Sequence, residues 1–288
     1  MAKMGKFTDI LKLTRIEHSI MLVIAVLAAE IIVGGKLPSA STLAFSIITP
    51  IFVSMGAFAI NDYFDVDVDR LNKKNRPLVT GSLSRVDALY VTIASMAIGA
   101  GASYFINIYC FAIAIFFAVI SILYSYRLKE TLFWGNAYVA ISMVIPFVYG
   151  NYVMSLTLSP AIVIVSAIIF ASGLAREIHG TIRDYKGDSK ARNVRSFPKT
   201  IGISGSAWLS LLLYLAAIAL SVYLFINVRP FAYNIVYAIP VAVTDLLLIY
   251  VGIGYITNPK QQFYDRTRNM SLAAMVIALI AFLLSALV

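Results

Sequence analysis

Residues 56–69 read Gly-Ala-Phe-Ala-Ile-Asn-Asp-Tyr-Phe-Asp-Val-Asp-Val-Asp, so a hydrophobic run ends directly in four aspartates within nine residues. The chain is 60% hydrophobic and has only 14 acidic residues, so this concentration of charge needs a physical reason. Asn61, Asp65 and Asp69 are spaced four residues apart and share one face if the preceding helix continues through them. Carboxylates on one face repel each other unless a cation lies between them, which makes this stretch the candidate centre of the chemistry.

The composition predicts an integral membrane protein of the all-α class. The mean hydropathy is +0.86 and only 13% of the residues are charged, whereas soluble domains carry about a quarter. Cys110 is the single cysteine, which excludes an intramolecular disulfide framework and a cysteine-based metal site. In a membrane protein the net charge of +9 reflects orientation and attraction to anionic lipid headgroups or diphosphates, so we expect membrane lipid and no nucleic acid as a partner.

Nine apolar segments are long enough to cross a bilayer as helices. They lie near residues 17–34, 41–60, 86–105, 107–125, 133–151, 159–179, 205–227, 231–256 and 269–287. If the N-terminus and every second loop are cytoplasmic, all lysines and arginines except Lys36 and Arg229 lie on the cytoplasmic side. The positive-inside rule therefore predicts nine spans, a cytoplasmic N-terminus and an external C-terminus.

Two long cytoplasmic loops, about 61–85 and 180–204, are expected to form the working surface of a single transmembrane domain covering residues 1–288. Both loops are rich in acids and bases, whereas the loops on the opposite side are short and almost uncharged. The predicted protein is thus a multi-pass protein of the cell membrane with its active site on the cytoplasmic side.

The second of these loops begins with another acidic motif. Residues 173–188 read Gly-Leu-Ala-Arg-Glu-Ile-His-Gly-Thr-Ile-Arg-Asp-Tyr-Lys-Gly-Asp. Asp184 and Asp188 are four residues apart, and Glu177 lies seven before Asp184 on the same helical face. Carboxylates interleaved with arginines and lysines suit a site that binds a divalent metal and a polyanion together, because Mg²⁺ prefers a few carboxylates plus water and phosphate oxygens.

The two motifs together predict a metal–phosphate site. Facing each other across a helical bundle, they could hold metal ions on opposite sides of a diphosphate, with the basic residues neutralising the remaining charge. Either motif alone is more simply explained as a solvated, charged helix end. Asp67 falls on another face and is expected to be exposed or paired with a lysine. Asp62 can belong to either group.

Taken together, these motifs resemble those of the UbiA superfamily of intramembrane prenyltransferases. Asn61–Asp69 is similar to the family's first aspartate signature, and Arg76–Gly81 to the turn that follows it. Arg176–Asp188 is similar to the second signature, and Tyr124–Lys129 to the stretch after the fourth helix. The chain departs from the family pattern at Thr181, Asn193 and Ser196. Many family members carry an aspartate at the position of Thr181, so the resemblance does not imply a third carboxylate ligand for the second metal here.

The resemblance implies nine transmembrane helices around a central cavity and a Mg²⁺-dependent transfer of an isoprenyl group from a polyprenyl diphosphate, such as geranylgeranyl diphosphate, to a lipophilic acceptor. The expected catalytic residues are Asn61, Asp65, Asp69, Asp184 and Asp188. The expected metal ligands are the same five and Asp62. The expected diphosphate ligands are Arg15, Arg76, Tyr124, Arg127, Lys129 and Arg195.

The sequence leaves several alternatives open. The form of the second motif favours a glycerol-phosphate ether lipid as acceptor over an aromatic quinone or haem precursor. A cation-coupled transporter would instead place acids near the membrane midplane, where only Glu30 and Asp245 are candidates. Each of these two acids either lines a cavity or makes a buried helix contact, and His18 and His179 have no assigned role.

Overall fold

The structure, a computed structural model, describes residues 5–191 and 196–288, without the side chains of residues 186–191. The side chain of Asp188 and the whole of Arg195, expected as metal and diphosphate ligands, therefore lie outside the described residues.

The described part of the chain folds into eleven α-helices and one 3₁₀ helix at Leu128–Glu130, and it contains no β-strand. The helices are α1 (Lys6–Thr14), α2 (Ile16–Gly34), α3 (Ala40–Leu71), α4 (Pro77–Thr80), α5 (Arg85–Tyr104), α6 (Ile108–Tyr126), α7 (Trp134–Met154), α8 (Pro160–Ala191), α9 (Phe197–Asn227), α10 (Ile235–Thr257) and α11 (Gln261–Ser285). Nine of these, all except α1 and α4, are long and apolar enough to cross a membrane. This confirms the all-α class and the number of spans expected from the sequence.

Helix α3 is much longer than its apolar segment and contains the first acidic motif. Its 32 residues extend about 48 Å, whereas the hydrocarbon core of a bilayer is about 30 Å thick. Residues 61–71, expected as the start of a loop, are helical because no Gly or Pro interrupts them, and the helix stops at Asn72, before Pro77. The helix therefore continues through Asn61, Asp65 and Asp69, which lie on neighbouring turns as their spacing requires.

Helix α8 repeats this arrangement for the second motif. It also has 32 residues, and it continues as helix through residues 180–191, which the sequence also placed in a loop. Helix α9 follows from Phe197 and bends at Gly202, whose φ of +74° is accessible to glycine and costly for other residues.

The chain divides into two compact units. Unit 1 comprises the residues up to Val26 and Leu37–Leu128, and unit 2 comprises Leu27–Lys36 and Lys129–Val288. In unit 1, α3 packs against α5, α6 and the amphipathic α1, which the sequence analysis did not predict. In unit 2, α8 packs against α7, α9 and α11, and α10 packs against α9 and α11.

Close contact between α3 and α5 in unit 1 depends on Gly99. A Cβ atom built on Gly99 would lie 2.7 Å from Val53 Cγ2, 3.0 Å from the Val53 backbone nitrogen and 3.1 Å from the Thr49 carbonyl oxygen. The Thr49 hydroxyl also donates a hydrogen bond of 3.2 Å to the Gly99 carbonyl. Small residues allow such backbone approach between membrane helices, and this contact holds the helix that carries the first motif.

We predict that Gly99→Ala lowers the free energy of unfolding by about 1–3 kcal/mol, because two of the atoms that the new methyl group meets belong to the α3 backbone and cannot rotate away. Gly101→Ala is the matched control, since a Cβ there meets no atom within 4 Å. Thermal unfolding of both purified variants in the same detergent measures the difference. Equal stability of the two variants would contradict the proposed contact.

Candidate functional site

The first motif is organised around the carboxylate of Asp62, which is only 2% exposed. Its Oδ1 accepts a hydrogen bond of 2.6 Å from Arg15 Nη2 and another of 2.7 Å from Arg76 Nη1. Arg76 Nη1 also pairs with Asp69 Oδ2, and Lys74 Nζ lies 2.9 Å from Asp69 Oδ1. Two buried carboxylates and three cations thus form one connected ion-pair network in unit 1.

Local backbone conformation brings the cations to this network. Arg15 links α1 to α2 with a φ of +46°, and its guanidinium lies 4.9 Å from the centre of the Phe58 ring. Arg76 precedes Pro77 in an extended conformation, as a residue before proline prefers. The Lys74 amide donates a 3.0 Å hydrogen bond to the Asp69 carbonyl, so the chain folds back against the end of α3.

The other motif residues differ in exposure. Asn61 and Asp65 are half-buried. Asp67 is 69% exposed and pairs with Arg85 at 2.6 Å and with Arg70 at 3.7 Å, so its exposure is as expected but its partners are arginines and not a lysine. On a helix of 3.6 residues per turn, Asp69 lies about 20° from Asp62 and about 40° from Asp65. Asp69 therefore joins the face of Asn61 and Asp65 to the arginine-bound face of Asp62.

The oxygen donors of this motif fit a magnesium ion that also binds substrate. Within residues whose side chains are described, no three His, Cys, Asp or Glu residues form a group that could hold a metal ion by themselves. Mg²⁺ is usually bound through one or two carboxylates, with water and substrate phosphate as the other ligands. The amide oxygen of Asn61 and the carboxylates of Asp65 and Asp69 could supply these few protein ligands, with water and substrate phosphate completing the coordination of the ion.

The second motif lines a cavity of about 290 Å³ in unit 2. Its charged lining residues are Arg176, Glu177, Arg183 and Asp184 from α8 and Arg268 from α11. Arg183 donates through Nε and Nη2 to the two oxygens of Asp184, both at 2.8 Å, and Arg176 Nη1 lies 3.3 Å from Glu177 Oε1. Asp184 is 51% exposed, so its carboxylate is accessible although it is paired.

An aromatic stack forms one wall of the cavity. The ring of His179 lies parallel to that of Tyr255 at a centroid distance of 3.7 Å, and Tyr255 stacks on Tyr264 at 4.5 Å. His179 Nε2 lies 2.6 Å from Ser210 Oγ, and the side chain is almost fully buried. His179 therefore holds α8 against α9 and α10 from inside the packed core of unit 2.

Sequence reasoning missed Arg268 and Tyr255 as cavity residues. From the sequence, Arg268 is only one of the basic residues that assign a loop to the cytoplasmic side. In the structure α11 begins at Gln261, so Arg268 lies on a helix. Tyr264, Thr267, Arg268 and Ser271 follow the spacing of one helical face, and three of them line the cavity. That periodicity was available in the sequence as a signal.

The remaining predicted residues keep their roles as predictions. Tyr124 is half-buried near the end of α6, Arg127 is exposed with its guanidinium 5.9 Å from the Tyr126 ring, and Lys129 lies in the 3₁₀ helix. Asp245 accepts a 2.8 Å hydrogen bond from Ser221, which is the helix contact considered for it, and Glu30 is fully buried in α2.

We predict that Asp62→Asn lowers the free energy of unfolding by about 3 kcal/mol, because it leaves the guanidinium groups of Arg15 and Arg76 without their shared buried charge. Asp67→Asn makes the same chemical change on the exposed side of α3 and should alter stability by less than about 0.5 kcal/mol. Denaturant unfolding of both variants in detergent measures this. Similar losses in the two variants would show that Asp62 is not the centre of the network.

Comparison with known proteins places this chain among prenyltransferases. The sequence profile of the UbiA prenyltransferase family matches residues 22–267. The digeranylgeranylglyceryl phosphate synthase of Archaeoglobus fulgidus is 35% identical over 94% of this chain and 92% of its own length. The enzyme of that name from Thermococcus kodakarensis is 26% identical over 98% of this chain and 99% of its own length.

Solved structures agree with these sequence matches. A digeranylgeranylglyceryl phosphate synthase structure superposes with a TM-score of 0.84 and 27% identity, covering 99% of both chains. A UbiA homologue from Archaeoglobus fulgidus, solved with GPP and Mg²⁺, has a TM-score of 0.67 and 20% identity over 95% of this chain and 99% of its own, which shows a shared fold. The family expected from the two aspartate motifs is confirmed: this chain belongs to the UbiA prenyltransferase family.

Proposed function

We propose that this enzyme transfers an isoprenyl group from a polyprenyl diphosphate, such as geranylgeranyl diphosphate, to the free hydroxyl of a glycerol-phosphate ether lipid. The diphosphate part of the proposal is carried by one observation, the pair of arginines held on the buried carboxylate of Asp62 beside the oxygen ligands of the first motif. The acceptor part is supported by the digeranylgeranylglyceryl phosphate synthases that align with nearly the whole chain.

Asn61, Asp65 and Asp69 would hold magnesium in the first motif, and Asp184, with Asp188 from outside the described side chains, would do so in the second. When bound, Mg²⁺ supplies positive charge that stabilises the diphosphate leaving group. Asp62 shares its Oδ1 atom with two guanidinium groups, so we assign it to positioning these arginines; the metal role expected for it from the sequence stays a prediction.

Arg15 and Arg76 bind and orient the donor diphosphate. Each guanidinium carries five N–H donors, and the contacts with Asp62 and Asp69 use only part of them. Both side chains are about a quarter exposed, so the remaining donors are accessible to phosphate oxygens. Because Asp62 already fixes them in place, they can stabilise the charge that develops on the leaving oxygen without large reorganisation.

The reaction breaks the allylic C–O bond of the donor, and the electron pair leaves with the diphosphate. The acceptor hydroxyl oxygen forms the new C–O bond of the ether, and its proton is released with the diphosphate. The chain therefore needs no nucleophilic side chain, which agrees with the lack of a serine or cysteine nucleophile motif in its sequence.

We propose that the C-terminal part of α3, with the first motif, and the C-terminal part of α8, with the second, face the cytoplasm. Support comes from the distribution of positive charge, since Lys36 and Arg229 are the only basic residues that the predicted topology puts on the other side.

We predict that Asp65→Ala and Asp184→Ala each reduce Mg²⁺-dependent prenyl transfer by at least about a hundredfold, because each removes an oxygen ligand that positions the charged leaving group. Transfer of a radiolabelled isoprenyl diphosphate to a monoalkyl glycerol phosphate measures this. Asp67→Ala, on the exposed side of α3, should stay within about twofold of the wild type. Full activity of both motif variants would refute the site, and transfer only to an aromatic acceptor would refute the acceptor class.

The orientation predicts which positions react with a membrane-impermeant maleimide. In a Cys110→Ala background, Lys36→Cys should be labelled on intact cells, and Ser82→Cys only after permeabilisation, because the two exposed positions lie on opposite sides of the predicted topology. The reverse pattern would place the motifs outside the cell.

A further inference from the structure

We propose that the cavity in unit 2 binds the phosphate group of the acceptor lipid through Arg176, Arg183 and Arg268. The inference rests on the proposed function and deepens it, since it assigns to the acceptor headgroup a site built by α8 and α11. These three arginines share the cavity lining with two carboxylates, Glu177 and Asp184. The described charged groups therefore leave an excess of one positive charge.

Hydrogen-bond donors remain available on each arginine. Arg183 uses Nε and Nη2 on Asp184, which leaves the Nη1 donors. The buried Nε of Arg176 has no hydrogen-bond partner among the described residues. Arg268 is exposed and makes no ion pair with any side chain that the structure describes. A phosphate monoester carries a charge of about −1.5 to −2 and three acceptor oxygens, so it can satisfy donors from all three groups.

The neutral lining residues match the glycerol part of such a headgroup. Thr181 donates its hydroxyl proton to the Ile178 carbonyl, and Ser271 donates to the Arg268 carbonyl. Their oxygens can therefore accept a hydrogen bond from an alcohol. An isoprenoid chain in the cavity would instead leave the remaining arginine donors, such as the buried Nε of Arg176, without a hydrogen-bond partner, which is costly.

Arg176 extends this site along α8, away from the carboxylate that we assign to the metal-bound diphosphate of the donor. Arg176 precedes Asp184 by eight residues, which corresponds to about 12 Å along α8. The cationic lining thus extends well beyond the carboxylate that we assign to the metal. A volume of about 290 Å³ lies at the small end of ligand sites and suits a headgroup better than a long chain.

The test compares two acceptors, a monoalkyl glycerol phosphate and the same monoalkyl glycerol without phosphate. For each we would measure kcat and KM at saturating donor, and the KM of the donor separately. We expect Arg268→Gln to reduce the preference of the enzyme for the phosphorylated acceptor by about tenfold, because one charge-assisted contact is lost. The donor KM should stay within twofold, and Arg268→Lys should recover part of the preference.

Arg266→Gln is the matched control, since this exposed arginine lies two residues away on α11 and does not line the cavity. It should leave the preference and both KM values unchanged. A preference that survives Arg268→Gln, or a loss that falls on the donor KM, would overturn the acceptor-phosphate site while leaving the proposed function intact. A wild-type enzyme that alkylates neither glycerol lipid would overturn the proposed function and the acceptor site together.

Discussion

The first motif depends on one buried carboxylate that two arginines share. Asp62 lies near the end of an apolar helix, where a solitary negative charge would be strongly destabilised. Arg15 and Arg76 come from segments 47 and 14 residues away, and both reach its Oδ1 atom. The same contact that compensates the buried charge also fixes two guanidinium groups beside Asn61 and Asp65. The residues that compensate the buried charge are thus the ones that we propose as diphosphate ligands.

Helix length is the second constraint. Both α3 and α8 have 32 residues, and their acidic motifs lie on the turns that exceed the thickness of the hydrocarbon core. A carboxylate on such a turn avoids the cost of the membrane interior and still projects from a rigid element. Rigid helices position ligands more exactly than loops do, because the orientation of each side chain follows from the helix itself.

The two motifs use the same residue types in different ways. In unit 1, cations from distant segments surround buried aspartates. In unit 2, arginines pair with the carboxylates next to them in sequence, Arg176 with Glu177 and Arg183 with Asp184, and both pairs border a cavity. Adjacent pairing leaves the outward donors of the arginines free to meet a ligand. We propose that both motifs hold the metal-bound diphosphate through their carboxylates, and that only the second also offers arginine donors to a phosphate monoester.

The sequence alone determined the all-α membrane class, the nine spans and the two aspartate motifs, because hydropathy and four-residue spacing are local properties of the chain. It could not predict the partners of Asp62, since Arg15 and Arg76 reach it only through turns that depend on packing against α3. The sequence does show that Arg268 shares a helical face with Thr267 and Ser271, but only the packing of α11 against α8 makes that face the lining of a cavity. Contacts between residues far apart in the chain were decided by the tertiary structure.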